Sequence, residues 1–398
     1  MEIRQLTMED FENRAALSQF AFQMTWTEEQ TAARKSGFKP EQDWGAFDEK
    51  GELMSALLLL PLEAWVQGRK LAMGGVAGVA TWPEARRQGC VSRLLSHALK
   101  TMREQGQSVS MLHPFSFPFY RKFGYELTIE RKKYTLDAKH LPPRGEAPGR
   151  VVRMTAPDIG VLDGIYSAYA SRYNGNLVRT PKWWETRILT QEGSNLAVYY
   201  NESDVPEGYF YYKAKERILT VHEMAALTET ARRALWSYAA NHDSMVDEVA
   251  LLAPMDDQLP LMLSDPRFKQ EIVPYFMSRI VDAEAFAKLY AWEKGAGGES
   301  VLLQLEDRHA PWNDGTFRLS WSEEGEGALE RLDSGSGRES GRGGEAIVCD
   351  IQTLAAMLLG GRKPTWLASV GRLAGSAESL RLLERRIPER TSFLMDFF

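Results

Sequence analysis

The segment VATWPEARRQGCVSRLLSHALKTMREQG constrains this chain more than any other stretch. Its first residues end an alternating, strand-like run. After Gly89 the apolar side chains Val91, Leu94, Leu95, Ala98, Leu99 and Met102 take the 3.6-residue spacing of an amphipathic helix. A strand that passes to a helix through such a loop aims the first free N–H groups, and the positive end of the helix dipole, at one point. Gly89 lets the backbone come close to a ligand, and Arg86 and Arg87 supply guanidinium donors for phosphate oxygens. The loop is therefore a candidate anion site, although a strand-to-helix turn with solvated arginines needs no more than these residues.

The neighbourhood supplies the rest of a unit. EIRQL reads as a strand and DFENRAALSQFAF as a helix. ELMSALLLLPLEAWV and LAMGGVAGVATW, joined by QGRK, read as a hairpin. SVSMLHPF is a further strand, and FPFYRKFGYEL closes the unit. Two breaks rich in Gly, Pro and charge, at 137–150 and 293–300, divide the 398 residues into three pieces with material for separate cores. The middle piece repeats the strand, helix and hairpin grammar of the first as a divergent copy. Where the first piece has RRQGCV, however, it reads ALTETARRAL, without a glycine, so no cofactor is expected there. The third piece mixes strands with helices, and its SEEGEGALERLDSGSGRESGRGGE stretch, with little apolar content, is expected to be a mobile hairpin loop.

Composition excludes several classes. The formal net charge is −6 and basic residues form no stripe, which argues against nucleic acid. The acidic excess suits either a cationic small molecule or a solvating surface. Cys90 and Cys349, with no CxxC spacing, and histidines without ligand spacing give neither a disulfide framework nor a metal site. The N-terminus lacks the pattern of a signal peptide, and LMSALLLLPLEAWV is too short to span a bilayer. The expectation is a soluble cytoplasmic protein with no membrane contact. Against that polar background the chain ends TSFLMDFF, and two terminal phenylalanines in water would cost apolar hydration, so the tail is expected to insert somewhere.

The hairpin, the RRQG loop, the helix, the next strand and FYRKFGYE, in that order, resemble the GNAT superfamily of N-acetyltransferases, whose [QR]xxGx[GA] loop binds the pyrophosphate of acetyl-CoA; the last small residue of that pattern is Val91 here. The whole chain resembles the enhanced intracellular survival (Eis) acetyltransferases. The likeness rests on VATWPEARRQGCVSRLL, MLHPFSFPFYRKFGYE, NHDSMVDEVALLAPMDDQLPLMLSDPRF and the aromatic terminus. That resemblance implies an α/β (α+β) fold: an acetyl-CoA-binding GNAT domain at 1–140, a degenerate GNAT-like domain at 141–292, and a sterol-carrier-protein-like domain at 293–398 whose tail enters the active site.

It further implies that Val79 and Thr81 offer main-chain contacts to the pantetheine arm, while Arg86, Arg87, Gln88, Gly89, Val91 and Ser92 surround the phosphates. Tyr120 falls on the family's general acid, with Tyr125 close behind it, and the terminal carboxylate of Phe398 on the base. A solvated α-carboxylate, with a pKa of about 3.5, is a weak base, and aromatic burial raises that value. His113 either contacts substrate or packs at a strand end; Phe22 and Trp26 either roof the acceptor pocket or join the core; Asp396 either pairs with a cationic acceptor or solubilises the tail. The implied acceptor is a primary amine, an aminoglycoside above all, with lysine side chains and polyamines as alternatives, and the implied assembly is a homohexamer. The rival reading is a non-catalytic module that binds acyl-CoA or lipid.

Overall fold

The computed structural model describes residues 1–145, 147–332 and 346–398. Among the described residues twelve strands make one sheet: β1 (Glu2–Gln5), β2 (Asp43–Phe47), β3 (Leu53–Val66), β4 (Arg69–Thr81), β5 (Val109–Leu112), β6 (Glu126–Asp137), β7 (Arg150–Met154), β8 (Asn195–Tyr200), β9 (Pro206–Lys215), β10 (Ile218–Ala226), β11 (Glu248–Ala253) and β12 (Lys269–Ile280). Four more, β13 (Ser300–Glu306), β14 (Gly315–Trp321), β15 (Gly327–Arg331) and β16 (Ile347–Asp350), make a second sheet. The helices are α1 (Phe11–Ala21), α2 (Glu28–Ser36), α3 (Cys90–Glu104), α4 (Phe117–Arg121), α5 (Ile159–Ala170), α6 (Pro181–Trp183), α7 (Glu229–Ala240), α8 (Ala283–Leu289), α9 (Ile351–Leu358), α10 (Pro364–Ser369) and α11 (Ala377–Arg386).

The hairpin expected from the apolar alternation is β3 and β4, in register from Val66 with Arg69 onward. Its two-residue turn puts Gln67 at φ 49° and Gly68 at φ 74°, the left-handed pair that matches the twist of the flanking strands. The amphipathic helix is α3, which buries Leu94, Leu95, Ala98, Leu99 and Met102 against this sheet.

The first two units are not separate bodies. The large sheet runs β1-β2-β3-β4-β5-β12-β6-β11-β10-β9-β8-β7, so β12, from the end of the second unit, lies between β5 and β6 of the first. It pairs antiparallel with both, and Pro274, which has no N–H for the ladder, sits where the β12–β6 register shifts. The largest apolar cluster also crosses the expected divisions, joining Val66, Met73 and Met111 to Phe276, Phe286, Leu303, Leu354 and Phe398. Strand insertion and this shared cluster tie the pieces together, beside clusters that belong mainly to the first or the second unit.

The small sheet is pinned to the large one by Arg279 on β12, whose Nη2 lies 2.5 Å from Asp307 Oδ2 with both side chains fully buried. The glycine-rich stretch at 322–345 contains strand β15, which pairs with β14, where a hairpin loop was expected; Gly327 leaves room there for the Trp292 ring, and residues 333–345 lie outside the described residues. No described helix is long and apolar enough to cross a membrane.

Candidate active site

The site starts where β4 and β5 part. They pair in parallel only from Met73–Val109 to Gly75–Met111, while β4 continues to Thr81 beside β3 alone. From Val76 onward the edge of β4 that faced β5 has no strand partner among the described residues, which leaves room there for backbone contacts to a ligand. Within that stretch Ala77 opposes Leu58 and Ala80 opposes Ala56, which leaves two residues of β4 against one of β3: a bulge at Gly78, whose φ is 56°. Arg14 fixes the bulge, donating from Nη2 to the Gly78 carbonyl at 3.1 Å while its Nε is held by buried Asp43 at 2.7 Å. Val79 and Thr81 lie half-buried on this open length, the Thr81 hydroxyl 2.8 Å from that of Ser55.

The fork leads to the N-terminus of α3. Arg87 at φ 63° and Gly89 at φ 81° turn the backbone through left-handed conformations, and no side chain caps the helix. No acidic residue occupies its first turn. Arg86 and Arg87 are exposed, and neither makes an ion pair or side-chain hydrogen bond among the described residues. Gln88 donates to the Glu84 carbonyl at 2.8 Å, and Val91 and Ser92 are half-buried in the first turn. Bare N–H groups, a helix dipole and two unengaged guanidiniums fit a pyrophosphate.

Tyr120, on α4, is buried on the α3 side of the fork, with its ring 5.3 Å from Phe115, 5.2 Å from Phe119 and 6.1 Å from Tyr125. The Tyr125 hydroxyl is engaged, 2.7 Å from Ser110 Oγ, which donates to the Gly74 carbonyl at 2.8 Å. The Tyr120 hydroxyl has no protein partner among the described residues. Burial, and then the neighbouring Tyr125, raise the Tyr120 phenol well above its usual value, and burial pushes Tyr125 up to about 12. Both phenols carry their protons at neutral pH, but only Tyr120 has one to offer.

The tail arrives on the opposite face. Side chains alternate along a strand: a Cβ at Gly74 would strike Met102 of α3, whereas one at Gly75 would lie 2.8 Å from the Phe398 ring. Phe398 is buried there, 4.9 Å from the Phe276 ring between centroids. Gly75 is the last β4 residue paired to β5, so the chain's final residue packs against the strand at the mouth of the fork. Phe397 remains exposed and meets His113 edge-on at 5.1 Å. Desolvation of the ring and then Arg131 lower the His113 pKa, which favours the neutral imidazole, although the residue as a whole is exposed.

Asp396 is fully buried, its carboxylate accepting from Arg179 Nε at 2.9 Å, Trp183 Nε1 at 2.8 Å and Tyr166 Oη at 3.0 Å. Its oxygens are thus occupied within the fold. Phe22 and Trp26 are on the segment between α1 and α2, where Trp26 lies under Arg34 at 4.4 Å and Phe22 is exposed. Neither makes an aromatic or hydrogen-bonded contact with Tyr120 or the tail.

Arg131, Tyr166, Arg179, Trp183, Glu223 and Tyr275, all of which hold the tail or its partners, were missed in the sequence. The available signal was weak: single charges inside apolar runs, as in NLVRTP and LTVHEMAAL. A second fork occurs where β10 outlasts its parallel pairing with β11, but there Thr228 caps α7 and Glu229 occupies its first turn.

Three family models match the chain: an acetyltransferase (GNAT) domain over residues 2–128, a second GNAT domain over 175–280, and a sterol carrier protein domain over 283–395. The chain is 25% identical over 382 residues to an uncharacterized N-acetyltransferase of Streptomyces avermitilis, covering 88% of this chain and 87% of that one. A probable N-acyltransferase of Enterococcus faecalis superposes with a TM-score of 0.90 at 27% identity, over 100% of this chain and 99% of that one. Eis1 of Mycobacterium abscessus shares the fold, with a TM-score of 0.82 at 22% identity over the full length of both chains.

Proposed function

We propose that this chain, which belongs to the GNAT superfamily of N-acetyltransferases and has the Eis-like three-domain architecture, moves the acetyl group of acetyl-CoA to a primary amine at the β4/β5 fork. The observation that carries this reading is that Phe398 packs at Gly75 on one face of the fork, while Tyr120 offers an unengaged hydroxyl on the other. Acetyl-CoA supplies an activated thioester. Gly89, Val91 and Ser92 would receive the phosphates on main-chain N–H groups, with Arg86, Arg87 and Gln88 around them, and the open backbone of Val79 and Thr81 would hold the pantetheine arm.

The amine then approaches from the tail side. Its C–N bond forms as the C–S bond breaks, the Phe398 carboxylate accepts the amine proton, and Tyr120 Oη gives its proton to the departing sulfur. Placing base and acid on opposite faces lets both protons move without crossing the reacting carbon. Release of free CoA thiol in the presence of aminoglycosides, polyamines and lysine peptides tests the reading; no release with any amine would leave a binding module.

One observation separates acceptor classes. A cavity of about 530 Å³ beside Met395 and Phe397 is lined by Lys133, Arg187 and His222, and both acids on its wall, Glu223 and Asp396, are bonded to Arg179. Such a wall favours a single amine on a neutral or acidic body, as a lysine side chain in a peptide, over the polycationic aminoglycosides and polyamines.

Acetyl-CoA is expected to bind once per chain, because Glu229 places negative charge where the second fork would need a phosphate. Gly89→Val should weaken that binding by a few kcal/mol, since a β-branched residue is strained at φ 81° and the N–H groups would turn away. Calorimetric titration checks both; unchanged affinity in the variant would reduce the loop to a turn.

A further inference from the structure

We infer that Asp396 is a positioning residue for the reaction, a buried latch that fixes where the terminal carboxylate stands; this rests on the proposed role of that carboxylate. The tail is anchored at Ser392 by an isolated bridge to Asn174, with the Phe393 N–H donating to the Asn174 carbonyl at 2.9 Å, and from Phe393 onward it has no regular secondary structure. Beyond that bridge its position is set by side chains of the neighbouring elements. Asn176 Oδ1 accepts from the Met395 N–H at 3.0 Å, and Arg131 donates to the Leu394 carbonyl from Nε at 2.9 Å. Tyr275 Oη donates to the Asp396 carbonyl at 2.6 Å. All of these are backbone contacts, which any sequence would satisfy.

Asp396 gives the tail an address by charge, beside the Ser392 hydroxyl on the Leu359 carbonyl at 2.7 Å and the Phe398 ring at Gly75. Arg179 holds Asp396 with one edge and holds Glu223 with the other, from Nη1 at 3.0 Å and Nη2 at 2.5 Å, and Tyr209 Oη donates to the same Glu223 at 2.8 Å. The Arg179 guanidinium is stacked 3.7 Å above the Tyr166 ring and 4.4 Å from that of Trp184. Burial keeps the Tyr166 and Tyr209 phenols protonated, so both remain donors. Two carboxylates are thus balanced by Arg179 and by nearby Arg131, with the Glu223, Arg179 and Asp396 side chains all buried, and a one-residue slip of the tail would leave a charge unpaired in the interior. That penalty is what converts a flexible terminus into a fixed base two residues beyond the latch. It also explains how Glu223 and Arg179, in the unit whose own fork is closed to phosphate, serve the first unit's chemistry.

The test compares Asp396→Asn in two backgrounds, the native terminus and a chain extended by one glycine, with kcat, the KM for acetyl-CoA and the thermal midpoint all measured. In the native background kcat should fall about tenfold or more, the usual cost of losing a charge-assisted contact, with the KM for acetyl-CoA unchanged. In the extended background, where the carboxylate is already displaced, the same substitution should cost nothing further. Equal losses in both backgrounds, or no loss in the native one, overturn the latch while leaving the base reading intact. An extended enzyme with full turnover overturns the base reading and the latch with it. Should Asp396→Asn not fold, Trp183→Phe, which removes one donor to Asp396 from a half-buried side chain, carries the same comparison with a smaller loss.

Discussion

Extending the chain by a single glycine, or amidating Phe398, is expected to lower acetyl transfer a hundredfold or more while acetyl-CoA binding and the thermal midpoint stay near those of the unmodified enzyme. The magnitude follows from what general base assistance contributes to a proton transfer. Extension moves the negative charge by one residue; amidation removes it without touching either phenylalanine ring. The two modifications therefore separate a chemical role from a packing role. Loss in both marks the carboxylate as the base. Loss on extension alone, with the amide fully active, marks a tail that only has to fit against Gly75 and Phe276.

Tyr120→Phe should reduce kcat by roughly a hundredfold and leave the KM for acetyl-CoA within a factor of two or so, because the substitution removes one proton donor and leaves the buried ring in place. Tyr125→Phe should act differently. Its hydroxyl is bonded to Ser110, so its loss disturbs local packing and stability, and turnover should change little once folding is corrected for. Steady-state kinetics on both variants check this pair. The direction of the Tyr120 shift adds a pH expectation: with the phenol raised by burial, the donor stays protonated past its ordinary value near 10, so activity should not decline on the alkaline side below that pH. A variant lacking only Tyr120 yet retaining full turnover would make it a packing residue.

What could be read from the sequence was what is local. The β3–β4 hairpin, the loop at Arg86–Gly89 and α3 are each specified by residues within a few positions of one another, by period and by glycine placement. The repeat of that grammar in the middle of the chain was visible for the same reason, and a GNAT domain matches there. The insertion of β12 between β5 and β6 was not, since Ser278 pairs with Met111 and Glu126 across sequence gaps that no periodicity reports. The latch was hidden for a related reason. Arg179 and Glu223 each look like one charge in an apolar run, and only the fold discloses that they meet each other and Asp396. The aromatic terminus did announce that it inserts somewhere; the two phenylalanines then diverge, Phe398 entering the core and Phe397 staying exposed beside His113. Alternation along an extended tail accounts for that split, one side chain facing in and the next out.

A crystal structure of the enzyme with acetyl-CoA would bear on the proposed chemistry most closely. It is expected to show one molecule per chain, with its pyrophosphate on the N–H groups at Gly89–Ser92, its acetyl group in the gap that opens beyond Gly75 and Met111, its sulfur within hydrogen-bond reach of Tyr120 Oη, and the Phe398 carboxylate on the opposite side, close enough to accept a proton directly or through one water. An acetyl group held elsewhere, or a terminal carboxylate too far away for a single bridging water, would contradict that chemistry.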